Sequence, residues 1–293
     1  MPNKEDNVDN EGNEGTEATE GTEATEGNAN NDRNALDSEK QSFSPKRELE
    51  YFFGALRFFT RLPVPKWVGH SSETLDRAAR YFPAVGLLVG AIAALVFIAA
   101  NHIWPLTLAV LAAIASSIYL TGAFHEDGWS DMVDGFGGGW EKAQILSIMK
   151  DSRIGSFGAV ALVVLLLARF LALVEFDPLI IPMVLLAGHT LSRFASTTLL
   201  RALDYVRDEG KAKPLATRIG WRELGFAALT ALLPLLLLPP FEAFLGCLFA
   251  ALATLWLARM FRRQIGGYTG DCLGATQQLA EVAFYAGLLC RFS

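Results

Sequence analysis

The chain is poor in charge for its length. Charged residues make up 19% of its 293 residues against 52% hydrophobic, and mean hydropathy is +0.29. A soluble domain of this size would need far more charge to coat its surface, which argues against a water-soluble globular fold. Cysteine is scarce as well. Cys247, Cys272 and Cys290 are odd in number, widely spaced and without a CxxC pair or neighbouring histidine, which argues against a disulfide framework or a zinc site. No Walker motif and no GxGxxG pattern occurs, so the common nucleotide-cradling loops are missing. The opening residues, MPNKEDNVDNEG, lack a basic stretch followed by an apolar run. Insertion into a membrane is therefore expected to rely on internal segments. There is no basic excess either: net charge is −6, and no nucleic-acid partner is expected.

The negative charge is concentrated at one end. Residues 1–45 hold twelve Asp and Glu against three Lys and Arg, a balance of −9, so with the whole chain at −6 the remainder stands at +3. This stretch contains GTEATE twice, at 15–20 and 21–26. Low hydrophobicity and like charge keep such a segment from burying enough surface to order itself. Residues 1–45 read as a disordered acidic tail, and residues 46–293 as a membrane-embedded catalytic domain.

Aromatic and apolar residues dominate the rest of the chain. In ELEYFFGALRFFTRLPVP (48–65), Arg57 and Arg61 share a helical face and Pro63 and Pro65 close the segment. That suits a helix lying in the membrane interface, as an anchor or as the lining of a substrate entrance. Continuous apolar runs then cover 81–100, 106–124, 157–174, 178–200, 224–238 and 241–257. A shorter run at 282–289 can cross ~30 Å if its helix begins near Thr276. Barrel strands would show alternation, which these runs lack. The expectation is all-α: a polytopic integral membrane helix bundle with six to seven transmembrane helices. Bases fall in alternate links. Lys142, Lys150 and Arg153 share one; Arg201, Arg207, Lys211, Lys213, Arg218 and Arg222 another; Arg259, Arg262 and Arg263 the last. Since basic links stay in the cytoplasm, the N-terminus and the longest polar loops are placed on that side.

Chemistry concentrates in HEDGWSDMVDGFGGG (125–139). Asp127, Asp131 and Asp134 stand at i, i+4 and i+7, one face of a helix. Like charges so placed repel by a few tenths of a kcal/mol per pair in water, and by more near a membrane. No Lys or Arg next to them offsets this, but a divalent cation would. Oxygen ligands suit Mg²⁺ or Mn²⁺, and carboxylates shared with substrate phosphates are a common way to hold Mg²⁺. The ligand pattern of an EF-hand is missing. Gly135 and Gly137, Gly138 and Gly139 offer backbone N–H groups to an anion. Lys150 and Arg153 serve either the positive-inside pattern or a phosphate clamp. His189 and Arg193 lie four apart inside an apolar run, where Arg193 must face protein, water or an anion, or snorkel to the interface. Asp271, in GGYTGDCLGAT (266–276), reads as a helix N-cap or as a further metal or substrate contact.

These segments resemble a known family. FFTRLP (58–63), YFPAVGLLVG (81–90), TGAFHEDGWSDMVDGFGG (121–138), MKDSRIGSFG (149–158) and GDCLGA (270–275) are similar to bacterial cobalamin synthase, adenosylcobinamide-GDP ribazoletransferase. The resemblance runs from about residue 50 to the end and leaves the acidic tail outside. It implies a multi-pass enzyme of the bacterial inner membrane acting in the last steps of vitamin B12 biosynthesis. Such an enzyme joins α-ribazole, or its 5′-phosphate, to adenosylcobinamide-GDP and releases GMP, with Mg²⁺. Under that reading Asp127, Asp131 and Asp134 hold the metal, and one of them or His125 accepts a proton. Lys150, Arg153, Arg193 and Asp271 contact substrate. An oligomer is compatible with the sequence.

Two other readings compete. CDP-alcohol phosphotransferases use Asp-Gly and paired aspartates for the same class of transfer, but they place Ala-Arg where Ser130-Asp131 stands here. A transporter would suit charged residues inside spans, yet no inverted repeat is visible.

Overall fold

A chain this apolar has to satisfy its own backbone hydrogen bonds within each segment, which the helix does and the open strand does not. The structure, a computed structural model, describes residues 44–69, 77–207 and 219–290. The tail assigned to residues 1–45 lies outside them apart from its last two residues, as do Lys211, Lys213 and Arg218. From Lys46 onward the chain forms one compact unit.

Ten α-helices occur among the described residues. In order they are α1 Pro45–Phe59, α2 Phe82–Asn101, α3 Leu106–Thr121, α4 Phe124–Gly138, α5 Lys142–Ile148, α6 Ser156–Val174, α7 Ile181–Ala202, α8 Trp221–Leu232, α9 Pro240–Gln264 and α10 Gly270–Leu288. Short 3₁₀ turns precede α2 and follow α8. The β-type pairing among the described residues is an isolated bridge between Tyr205 and Tyr268. The all-α expectation is therefore met.

Three helices are long and apolar enough to cross a bilayer alone: Ala79–Asn101, which includes the 3₁₀ turn, α6 and α9. The run at 106–124 does not form one straight span. It breaks after Thr121, and α3 and α4 meet at 86°. The corner is built from two consecutive left-handed residues, Gly122 at φ 67° and Ala123 at φ 58°. Glycine adopts that conformation freely; alanine there carries strain on the order of 1 kcal/mol. Helix α7 has the length of a span with ionisable residues inside it. The run at 224–238 divides into the short α8 and a 3₁₀ turn at Leu233–Leu237, which contains Pro234.

The bundle reverses the polarity of a soluble protein. Val160, Val163, Val164, Leu167 and Leu171 of α6 and Phe241, Phe244, Leu252 and Trp256 of α9 are exposed, while Arg169, Arg193 and Glu281 are buried. An apolar exterior around a charged interior is what a lipid solvent selects. Apolar packing inside falls into two clusters. One joins Ala55, Phe59, Val85, Leu199 and Phe261; the other joins Phe97, Val110, Leu173, Leu185 and Phe284.

Candidate active site

The acidic motif is helical rather than a loop: all of it from His125 to Gly138 lies in α4. Because of the corner at Gly122 and Ala123, α4 turns across the direction of α3 instead of continuing its crossing. It packs chiefly on α10 and α6. The crossing with α10 is close. A Cβ on Gly128 would stand 3.1 Å from the Asp271 carbonyl oxygen, and one on Gly274 would stand 3.3 Å from that of His125. The two glycine-containing motifs, 125–128 and 270–275, thus meet backbone to backbone. This contact sets Asp127 and Asp131 beside Asp271, which the sequence separates by more than a hundred positions.

Asp127 is exposed and Asp131 half-buried. Burial first, then the negative charges of Asp127 and Asp271, push the Asp131 carboxyl up to about 7, with Arg207 opposing and Asp134 adding to the rise. Beyond burial, part of the rise reflects neighbouring negative charge that Arg207 does not fully offset. Asp271 does not cap α10. Thr269 does, its hydroxyl oxygen accepting from the Cys272 N–H at 3.3 Å, and Asp271 falls in the first turn. There it accepts a 2.6 Å hydrogen bond from Nη2 of Arg207.

Asp134 has a different task. Its Oδ2 accepts the Gly155 N–H at 2.7 Å and its Oδ1 accepts the Gly158 N–H at 2.8 Å. It is buried, and it satisfies the free N–H groups at the start of α6, where the helix dipole favours an anion. The spacing of the three aspartates is helical as expected, but both oxygens of the third are engaged with backbone. The glycines 135, 137 and 138 are not an anion-binding loop either. They sit inside α4 with their N–H groups in a helical frame, and a Cβ on Gly135 would meet Met149 and the Ile145 carbonyl. The small size of Gly135 and Gly138 makes room for α5, and that of Gly137 for Phe157 of α6.

Lys150 and Arg153 lie in the α5–α6 link and are exposed. Arg153 forms a fork with Asp151, Nε to Oδ1 at 3.0 Å and Nη2 to Oδ2 at 2.6 Å, which holds the Asp151 carboxyl down at about 2. Asp134, Asp151 and Arg153 border a surface cleft of about 510 Å³. His125 points to the other side of α4. It is buried and stacked on Phe59, with ring centroids 5.4 Å apart at 12°.

Arg193 is interior too, one member of a buried network on α3, α4, α6, α7 and α10. Arg169 lies 2.7 Å from Glu281 and 3.7 Å from Glu126. Gln278 donates to Glu126 at 2.9 Å, and Gln277 and Tyr285 donate to Glu281 at 2.7 and 3.0 Å. His189 places Nε2 3.3 Å from an Arg169 nitrogen and Nδ1 3.3 Å from Glu281. Arginine can only donate, so Nε2 accepts and the imidazole proton sits on Nδ1, facing Glu281. Two arginines balance two glutamates, as buried charge requires. Glu126, Glu281, Gln277 and Gln278 are not among the residues that the sequence pattern singles out. A signal exists for the three on α10, Gln277, Gln278 and Glu281, since polar groups inside the run that forms it are costly in a bilayer.

Among the described residues no three acidic, imidazole or thiol groups close round a metal position. Asp127, Asp131 and Asp271 share a corner of negative charge without converging on one point, so an ion there would need substrate phosphate as well as carboxylate oxygens.

Comparison with known proteins agrees with this picture. The family described as Cobalamin-5-phosphate synthase matches residues 51–289. A protein named adenosylcobinamide-GDP ribazoletransferase from Shewanella frigidimarina is 47% identical over 253 residues, 83% of this chain and 95% of the relative. Its namesake from Shewanella amazonensis is 48% identical over 258 residues, 85% and 98% of the two chains. That of Shewanella oneidensis is 43% identical over 261 residues, 86% and 97%. No solved structure matches.

Proposed function

Because this chain belongs to the cobalamin-5-phosphate synthase family, we propose that it transfers α-ribazole, or its 5′-phosphate, to adenosylcobinamide-GDP and releases GMP. The observation that carries the reading is the junction of α4 and α10, which gathers Asp127, Asp131 and Asp271 into one negatively charged corner beside Arg207. In the transfer to α-ribazole, the oxygen of a ribose hydroxyl that is also free in the 5′-phosphate bonds to the phosphorus next to the cobinamide alcohol. The bond from that phosphorus to the oxygen bridging to GMP breaks, and GMP leaves with that oxygen. The hydroxyl proton passes to a carboxylate. Phosphoryl transfer of this kind asks for alignment and charge neutralisation more than covalent catalysis.

Asp127, Asp131 and Asp271 would hold Mg²⁺, which when bound neutralises diphosphate charge and strengthens the leaving group. A carboxylate oxygen of this corner that the ion leaves free would accept the hydroxyl proton. His125 faces away, against Phe59. Asp134 orients the start of α6 and through it the cleft that Arg153 borders. Lys150 and Arg153 on that rim attract phosphate, with Arg153 released from Asp151 on binding. The interior network containing Arg193 supports α4 from behind. We place the protein in the bacterial cytoplasmic membrane with this corner facing the cytoplasm, supported by the basic residues of the links that end there. A large, partly apolar corrinoid can then rest its edge on the bilayer interface.

The test uses purified protein in lipid nanodiscs with adenosylcobinamide-GDP, α-ribazole and Mg²⁺. GMP and cobalamin should form in equal amounts, and chelation should stop both. Release of GMP without cobalamin, or no reaction at all, would overturn the assignment.

A further inference from the structure

The geometry points to Arg207 as the group that binds the phosphate of the departing nucleotide, held in reserve by Asp271 until a divalent cation takes that carboxylate over. This inference rests on the transfer proposed above and names a residue for it.

Arg207 follows a segment whose backbone is anchored. The segment before it pairs with the loop before α10. Val206 donates to the Tyr268 carbonyl at 3.1 Å, Tyr268 donates to that of Asp204 at 2.9 Å, and the rings of Tyr205 and Tyr268 lie 5.6 Å apart. The backbone that leads into Arg207 is therefore fixed beside the corner. Both of its hydrogen bonds come from Nη2, to Asp271 at 2.6 Å and to the Met149 carbonyl at 3.2 Å. Its Nε is buried without a partner. A guanidinium is a five-donor fork matched to two-oxygen anions. Here it uses one nitrogen and leaves another idle in a place closed to water, where an unmade bond is costly. A phosphate offers the missing acceptors.

The charges give the order of events. With every carboxylate ionised, three of them and one guanidinium would leave the corner at −2. A divalent cation held there would neutralise it and compete with Arg207 for Asp271, which would free Arg207 for the phosphate that gains charge as the phosphorus–oxygen bond breaks. Arg207 thus has two opposed effects: it weakens metal binding in the resting protein and strengthens nucleotide binding in the loaded one. A merely structural arginine would not produce that opposition.

The experiment measures Mn²⁺ binding by paramagnetic resonance and GMP binding by equilibrium dialysis, on the full protein in nanodiscs without corrinoid. For Arg207→Met, Mn²⁺ should bind about tenfold more tightly, and GMP in the presence of Mn²⁺ at least tenfold more weakly. Asp271→Asn frees the guanidinium without removing it. That variant should bind GMP more tightly than the parent when no metal is present, and adding Arg207→Met should erase the gain. If Mn²⁺ binds the parent and neither variant shifts either affinity, the role of Arg207 is overturned and the transfer reading stands. If the parent binds no Mn²⁺, the carboxylate site falls and this inference falls with it. Should Arg207→Met fail to fold, Asp271→Asn alone decides, since unchanged or weaker metal-free GMP binding refutes the reserve.

Discussion

Glu126 and Asp127 are neighbours in sequence and belong to different worlds. Glu126 is buried, bonded to Gln278 and 3.7 Å from Arg169, within a network whose charges cancel. Asp127 is exposed, beside two more carboxylates and one arginine. The step between them is a turn of about 100° round one helix. Both sets span α4 and α10, so the same crossing makes a closed polar core on one side and an open acidic corner on the other. What separates a stabilising ionic group from a reactive one here is charge balance, not residue type.

That contrast can be broken from the reactive side first. Asp131→Asn should lower turnover by roughly a thousandfold, in line with the removal of a group that acts on developing charge. Its melting temperature should hold or rise, because a neutral side chain relieves the corner. Loss of fold along with activity would place Asp131 with the interior network instead. From the other side, Glu281→Ala leaves two buried arginines facing Glu126 alone in a dry interior. The expected loss is about 3–5 kcal/mol of stability, seen as a lowered thermal transition whether or not metal is present.

A smaller effect separates Asp134 from its two partners on α4. Gly158→Ala sets a methyl group against the Asp134 carboxylate and Ser130. We expect a stability loss of about 1–3 kcal/mol from overpacking with little change in Mn²⁺ affinity. A large fall in metal affinity would return Asp134 to the ligand set. The smallest expected effect is in pH. Asp131 carries a pKa of about 7 in the folded protein against 3.8 for a free carboxyl. The folded state thus holds the proton more tightly, and stability declines as pH rises through about 7. Melting in chelator from pH 5 to 8 should show the decline, and added Mg²⁺ should flatten it. A melting point independent of pH would leave the corner already neutralised.

Much of the acidic corner is legible in the sequence as a pattern. A helical spacing of aspartates needs only the 3.6 period to be read, and the resemblance to a family rests on the same short segments. The apolar runs likewise announce helices, although the run at 106–124 hides a right-angle corner. Only backbone torsion reveals it, and Ala123 is an unusual residue to find at positive φ. Pairings across distance are not legible. Gln278 meets Glu126 from 152 positions away and Arg207 meets Asp271 from 64. Both depend on which helices cross and at what height, and no local pattern encodes that. Arg207 is visible in the sequence only as one base among several in a link. Asp134 misleads for a related reason, because its helical position is right while its partners, two backbone N–H groups, carry no sequence signature of their own. The glycines after it suggest conformational freedom, and their use is their small size.

The meeting of Gly128 with Gly274 has one more consequence. Main chain meets main chain between the two helices there, so the backbones that carry Asp127, Asp131 and Asp271 keep a spacing set by peptide dimensions. Under the proposed transfer only side-chain rotation would then fit the corner to a diphosphate, and variation in the girth of the molecules being joined would fall to the segments at the rim.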